Sequence, residues 1–270
     1  MRPQRRGSRS ALAGLDTAII LIAYVITASV LAYVAVNMGL FVTQKAKAVI
    51  NNGEEQATTA LEVGGSVLYS TNYPTNSKSY WIYFPITPSA GISDVQLAPA
   101  TTSIAFTAPA ENITLSNMYN YTLLTNASEP NMLKISSGGE NYYYYASPYA
   151  ALLDLNKTAA TDVFQVVAST GTCTESTSNQ FDFNYSGSGH IACVNKDVAF
   201  TFPVSGDPLV GSSTAPAGST IGVMLLFGPS TGGNVFQYQQ VQIEITPNIG
   251  SSLTVTEYVY QPDGTVTAIG

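Results

Sequence analysis

From Thr17 to Gln44 the chain runs for 28 residues without a charge, dominated by Ala, Ile, Leu, Val, Tyr and Met. As an α-helix rising about 1.5 Å per residue this run is roughly 42 Å long. A bilayer's hydrocarbon core is about 30 Å thick, so the segment is long enough to span it. The helical pattern continues through Lys47, Val49 and Ile50 towards Leu61. A helix from about Leu12 to Asn51 is therefore expected, projecting beyond a membrane. Arg2, Arg5, Arg6 and Arg9 precede the run, whereas Lys45 and Lys47 soon give way to Glu54, Glu55 and Glu62. That asymmetry predicts a cytoplasmic N-terminus and an exported C-terminal body. A secretory signal has a shorter apolar core and a small-residue cleavage site after it, and neither is evident here.

After about Gly65 the period changes. Short β-branched and aromatic runs alternate with clusters of Gly, Pro, Asn and Ser, the pattern of strands and turns. Such runs are Tyr80–Phe84, Val163–Val167, Phe181–Asn184, Val198–Phe202 and Val223–Phe227. Near the end, Val241, Ile243 and Ile245 alternate with Gln242, Glu244 and Thr246, as in a half-buried strand. The expected fold class is α+β: a long N-terminal hydrophobic α-helix, then an antiparallel β-sandwich or barrel, immunoglobulin-like, as a head. No repeat of fixed period and no low-complexity linker interrupts it.

Composition narrows the function. Charged residues make up 10% of the chain and the formal net charge is −7, which excludes the basic patch that a nucleic-acid partner would need. Without the four leader arginines, six basic residues face seventeen acidic ones, as suits an exported, Tyr-rich body. In that setting Cys173 and Cys193, twenty positions apart, are expected to form a disulfide, the alternative being two buried thiols. With one His and no other Cys, no zinc site or other metal site is expected, and no cofactor. Neither a Walker loop nor a dinucleotide fingerprint is present. Ser188 in Ser186-Gly-Ser-Gly-His190 lacks the first Gly of a nucleophile elbow, and His190 reads as a loop residue rather than a base. An enzyme is not expected. The run Tyr142–Tyr145 reads as a strand with aromatic faces, an adhesive patch being the alternative.

Ala28, Ala32, Ala35 and Gly39 recur at helical spacings of three and four. Such a stripe lets helices approach closely; a single anchor with incidental alanines would look the same. Five Asn-x-Ser/Thr sequons occur, at Asn112, Asn120, Asn126, Asn156 and Asn184. Three or four would arise by chance at this composition, and on an exported face each is a chemically reasonable acceptor.

A basic leader, an uncleaved apolar helix and a β-rich body together resemble the type IV pilin superfamily. The helix segments Leu12–Ala23, Asn37-Met-Gly-Leu-Phe41 and Thr43-Gln-Lys45 are similar to those of crenarchaeal archaellins. So are the head segments Ser79–Phe84, Asp207-Pro-Leu209, Phe236-Gln-Tyr238, Ile245-Thr-Pro-Asn248 and Thr254–Tyr258. Residues 126–189 match no family segment. The resemblance implies a filament subunit for swimming, with an adhesive pilin or a membrane-anchored binding module as alternatives. It also implies a prepilin-type signal peptidase cutting between Ala11 and Leu12, where many relatives carry Gly in place of Ala11. The parts would be a leader (1–11), an assembly helix (12–62) and an extracellular head (63–270), with the precursor inserted in the membrane. Asp16 would become the fifth residue of the mature chain. There it either pairs with the new amino group of a neighbouring copy or complements its own helix dipole. Glycosylation of the sequons, self-polymerisation, and an assembly ATPase and rotary motor as partners follow from the same resemblance.

Overall fold

The computed structural model describes residues 8–58, 61–72, 78–89, 94–125, 130–137, 139–205, 212–233, 236–260 and 266–269. It divides into two compact units, the first ending at Glu54 and the second running from Glu55 to Gly270.

The described part of the first unit is one continuous α-helix, α1 (Ser8–Thr58), which runs on past the unit's end and is longer at both ends than its apolar run. At 51 residues it measures about 77 Å. No proline falls inside it, and its interior is rich in Ala and Leu, strong helix formers. The strand Leu61–Val63 follows at once, so Leu61 and Glu62, expected at the end of the helix, belong to the head instead. Leu61 is 6% exposed and pairs with Pro88, and burial there outweighs continuing the helix.

The head is built around a central sheet. Its strands run, edge to edge, Val266–Ile269, Val67–Thr71, Ser79–Pro88, Thr220–Leu226, Val198–Ser205 and Tyr119–Thr122, with Leu61–Val63 pairing beside Pro88. All neighbours are antiparallel except the last pair, Val198–Ser205 with Tyr119–Thr122, which is parallel. One face packs on a four-stranded sheet ordered Leu253–Val259, Gln239–Thr246, Ser103–Ala108 and Ile113–Leu115. The other face is covered by a second helix, α2 (Pro148–Thr158), and by the three-stranded sheet Phe164–Ala168, Ser188–Val194, Asn179–Tyr185. The expected sandwich is thus one half of a three-layer head.

This layering explains the two kinds of strand seen in the sequence. Strands of the central sheet are buried on both faces. Ile82, Phe84 and Ile86 enter one core while Trp81 enters the other. Likewise Ile221, Val223 and Leu225 oppose Met224 and Leu226 across the Thr220–Leu226 strand. Such strands read as continuous apolar runs. The strand Gln239–Thr246 buries Val241, Ile243 and Ile245 and turns Gln240, Gln242 and Thr246 outward, so it reads as an alternation. At Gly222 an added Cβ would lie 2.6 Å from the Phe202 ring. That ring is fixed among Tyr83, Tyr145 and Phe200, with centroids 5.5–5.9 Å away, so the close approach requires glycine.

Candidate functional site: the assembly helix and the head surface

Every described side chain of α1 from Gly14 onward is exposed in the monomer. Leu21, Tyr24, Leu31, Tyr33 and Met38 are 63–74% exposed, and they point in different directions around the helix. A helix apolar on all sides is stable only inside lipid or among other apolar helices. Three of its hydroxyls bond to the helix's own carbonyls. Thr27 Oγ1 donates to the carbonyls of Ala23 and Tyr24, Ser29 Oγ to Ile26, and Thr43 Oγ1 to Gly39, all at 2.7–3.0 Å. These hydroxyls are therefore paired within the segment Gly14–Asn51, which is long and apolar enough to cross a bilayer. Lys45 marks the end of the run, its Nζ 5.8 Å from the Phe41 ring.

On this helix Ala28, Ala32, Ala35 and Gly39 fall on one face, and a Cβ added at Gly39 would meet nothing within 4 Å. Asp16 is exposed and lies at the ninth position of α1, outside its first turn. Complementing the helix dipole from there is ineffective in the uncut chain. Ala11 and Leu12 lie within the helical span.

In the head, Cys173 and Cys193 are joined, with Cα atoms 5.8 Å apart. The bond fastens the irregular segment after Ala168 onto the strand Ser188–Val194, where Cys193 is fully buried. His190 lies in that strand and not in a loop. Its ring stacks on Phe183 at 5.5 Å and its Nδ1 lies 2.9 Å from the Ser188 carbonyl oxygen. The hairpin turn before it is made by Ser186 and Gly187 alone. Ser186 (φ 52°) and Gly187 (φ 81°) both occupy the left-handed region, as a two-residue turn between Tyr185 and Ser188 requires. The run Tyr142–Tyr145 continues the strand Glu140–Tyr144 into the buried Tyr145.

The sequons are not equivalent. Asn112, in the left-handed region (φ 52°) after a 3₁₀ turn, is exposed. So are Asn120 and Asn184. Asn156 is half-buried on α2, and its Oδ1 accepts a 2.7 Å hydrogen bond from the backbone N–H of Val166. Asn126 lies outside the described residues. So does Asp207-Pro-Leu209.

The sequence reading missed α2. Its signals were present: Ser147 accepts from the Ala150 N–H as N-cap and Pro148 occupies the first turn. Ala150, Ala151, Leu152 and Leu155 then face the core. Asp154 is fully buried there, one oxygen held by Lys157 Nζ (2.8 Å) and Asn131 Nδ2 (2.7 Å).

The archaeal-type flagellin family model matches residues 11–257. The chain belongs to this family. It is 52% identical to flagellin FlaB2 of Saccharolobus shibatae, over 98% of this chain and 96% of that one. A probable flagellin 1 of Aeropyrum pernix is 43% identical, over 38% of this chain and 49% of its own length. The archaeal flagellum subunit of Methanospirillum hungatei superposes over 95% of this chain and 99% of that one, with a TM-score of 0.50 at 17% identity, which is a likeness of fold. Flagellins are structural subunits, not enzymes, and this chain is a filament subunit for motility. The filament such subunits form is a homopolymer and an extracellular appendage. The crenarchaeal resemblance is consistent with the Saccharolobus relative.

Proposed function

We propose that this flagellin is made as a membrane-inserted precursor, trimmed by a prepilin-type signal peptidase between Ala11 and Leu12, and polymerised through α1. The observation that carries the reading is the all-round apolar exposure of α1. In the bilayer the helix shows this surface to lipid. Once extracted it must bury the surface again, and the same helix on neighbouring copies is the available partner. The face of Ala28, Ala32, Ala35 and Gly39 is where backbones approach most closely. The β-rich head forms the coat of the filament.

Cutting before Leu12 removes the arginine-rich leader of residues 1–11 and moves Asp16 to the fifth position. There it sits at the new helix start, within reach of the positive end of the dipole and of a neighbour's new amino group. Extraction needs free energy from outside the chain, which fits an assembly ATPase and the motor machinery as partners. Glycans are carried by exposed sequons such as Asn112, Asn120 and Asn184. Asn156 is the exception, because it is half-buried on α2 with its amide held against the strand by the bond from the Val166 N–H to its Oδ1.

Terminal sequencing of the subunit from sheared filaments tests the reading. We expect Leu12 as the first residue. Retained Met1, or a start beyond Gly39, would remove the basis for the processing step and for assembly through α1.

A further inference from the structure

Among the described residues of the head, the exposed large apolar side chains fall into two groups. Leu133 and Ile135, 46% and 48% exposed, belong to the hairpin Leu133–Ser137 with Glu140–Tyr144. Register sets them opposite Tyr144 and Tyr142, so the four side chains share one face of a two-stranded ribbon. The second group is Tyr238, Tyr258 and Tyr260, 42–61% exposed. The Tyr258 and Tyr260 rings lie 4.9 Å apart, and Tyr258 donates to the Tyr238 carbonyl at 2.9 Å. Val63 and Val266, each 39% exposed, come from strands that touch the Leu253–Val259 strand carrying Tyr258.

The two groups sit on opposite sides of the central sheet. The ribbon runs into Tyr145, which packs on Phe202 in the core beneath α2. The strand bearing Tyr258 belongs to the four-stranded sheet, on the other core. They cannot close on each other within one subunit. Both are unlike the rest of the head, whose outward side chains are mainly Ser, Thr, Asn and Gln. A two-stranded ribbon is also marginal alone in water and gains from a covering partner.

We infer that the ribbon of one copy docks on the tyrosine group of the next, forming a head-to-head contact between different surfaces. Such a contact is heterologous: repeated without closing, it generates an open helical polymer and not a closed ring or a dimer. The occupant is a second copy because a flagellin's neighbours in its filament are copies of itself. The two surfaces also fit chemically. Branched aliphatic chains meet broad aromatic rings. This contact rests on the filament reading and adds to the helix packing a lateral bond between heads.

The test uses full-length subunit assembling into filaments in cells, with Ile135→Cys and Tyr260→Cys made singly and together. The native cysteines are already joined to each other, so the introduced thiols are available for pairing. After mild oxidation we expect the double variant to run as a ladder of dimers and higher oligomers without reductant, and each single variant to stay monomeric. Filaments seen by electron microscopy that give no ladder overturn the pairing, as do dimers from either single variant, which would mean like surfaces meet. Unaltered chain that forms no filaments would instead overturn the filament reading itself. If the cysteine variants do not assemble, Ile135→Asp decides the matter. The expected result is a roughly tenfold rise in unassembled subunit. Normal assembly with lost attachment to surfaces would show that the ribbon faces outward as an adhesive, and would refute the contact.

Discussion

The helix and the head of this flagellin handle apolar surface in opposite ways. In α1 the backbone satisfies itself turn by turn, and the apolar side chains are left outside, on every side, for something else to cover. The head does the reverse. Its apolar side chains converge from three layers into two cores on either face of one sheet, and its polar surface carries few charges. Local hydrogen bonds are enough for the first region but say nothing about its partners. The second region is stable only if many distant segments meet in register. One chain thus carries a part that covers its own apolar surface and a part that leaves it for lipid or neighbours to cover.

The sharpest break of this comparison is a substitution that matters to one region alone. Ala32→Leu adds bulk that lipid accepts but that a close helix interface resists by about 1–3 kcal/mol per contact. Filaments should be lost while membrane insertion and the near-ultraviolet signal of the head persist. Normal filaments would show that the small-residue face is incidental.

The converse change is Phe200→Ala. Phe200 is fully buried between Phe202 and the α2 side of the central sheet. Its loss should destabilise the head by about 3–5 kcal/mol in denaturant melts of the detergent-solubilised chain, without preventing insertion of α1. A change below about 1 kcal/mol would mean that this core repacks freely.

Removing the disulfide should have a somewhat smaller effect. The loop it closes spans twenty positions, which by the chain-entropy account amounts to about 3 kcal/mol. Reduction, or Cys173→Ser with Cys193→Ala, should lower the melting temperature of the head and raise hydrogen exchange between residues 169 and 194 first. Unchanged exchange there would mean that neighbouring contacts alone hold the segment.

The smallest effect expected is that of acid. The Lys196 ammonium, by its 2.7 Å hydrogen bond and then its charge, holds Asp162 below the usual carboxylate range. That contribution is present above about pH 3.8 and is lost as pH falls through the lowered value. Both groups are exposed and screened, so it is small. Burial pushes Glu257 up, so its contribution has the opposite sign, present below its ordinary 4.5 and lost as pH rises through the raised value. Between pH 3 and 7 the melting temperature should therefore change little. The alkaline side differs. Burial pushes Tyr119 up to about 12, against the opposing hydrogen bond with Thr201 Oγ1 at 2.8 Å. Its contribution is complete below pH 10 and is lost as pH rises through about 12, so melting should drop steeply there. A steep acid loss instead would show that carboxylate contacts matter to the head after all.

How much was legible depended on whether a pattern was local. The apolar run and its flanking charges defined α1 without any tertiary information, because a helix satisfies its own backbone. The strands Val198–Ser205 and Gln239–Thr246 were legible as strands for the same kind of reason. Ser147, Pro148 and the Ala–Leu run after them marked α2 just as locally, but a single short helix is easily lost among strands. His190 was misplaced because Ser186–Gly189 looks like loop sequence, whereas the turn occupies only two of those residues.

The amino-acid sequence by itself determined a long helix apolar on all sides, a β-rich head poor in charge, and a pair of cysteines near enough along the chain to join. Those follow from periodicity, composition and short-range chain statistics, each of which acts over a few residues. Only the tertiary structure decided that the central sheet is buried on both faces and that Asn156 is bonded to the backbone while Asn112, Asn120 and Asn184 stand clear. It alone placed the Leu133–Ile135 ribbon and the tyrosine group on opposite sides of the head. These depend on which distant strands pair and which faces they cover. That choice is made by the summed burial of two cores and is recorded at no single position in the chain.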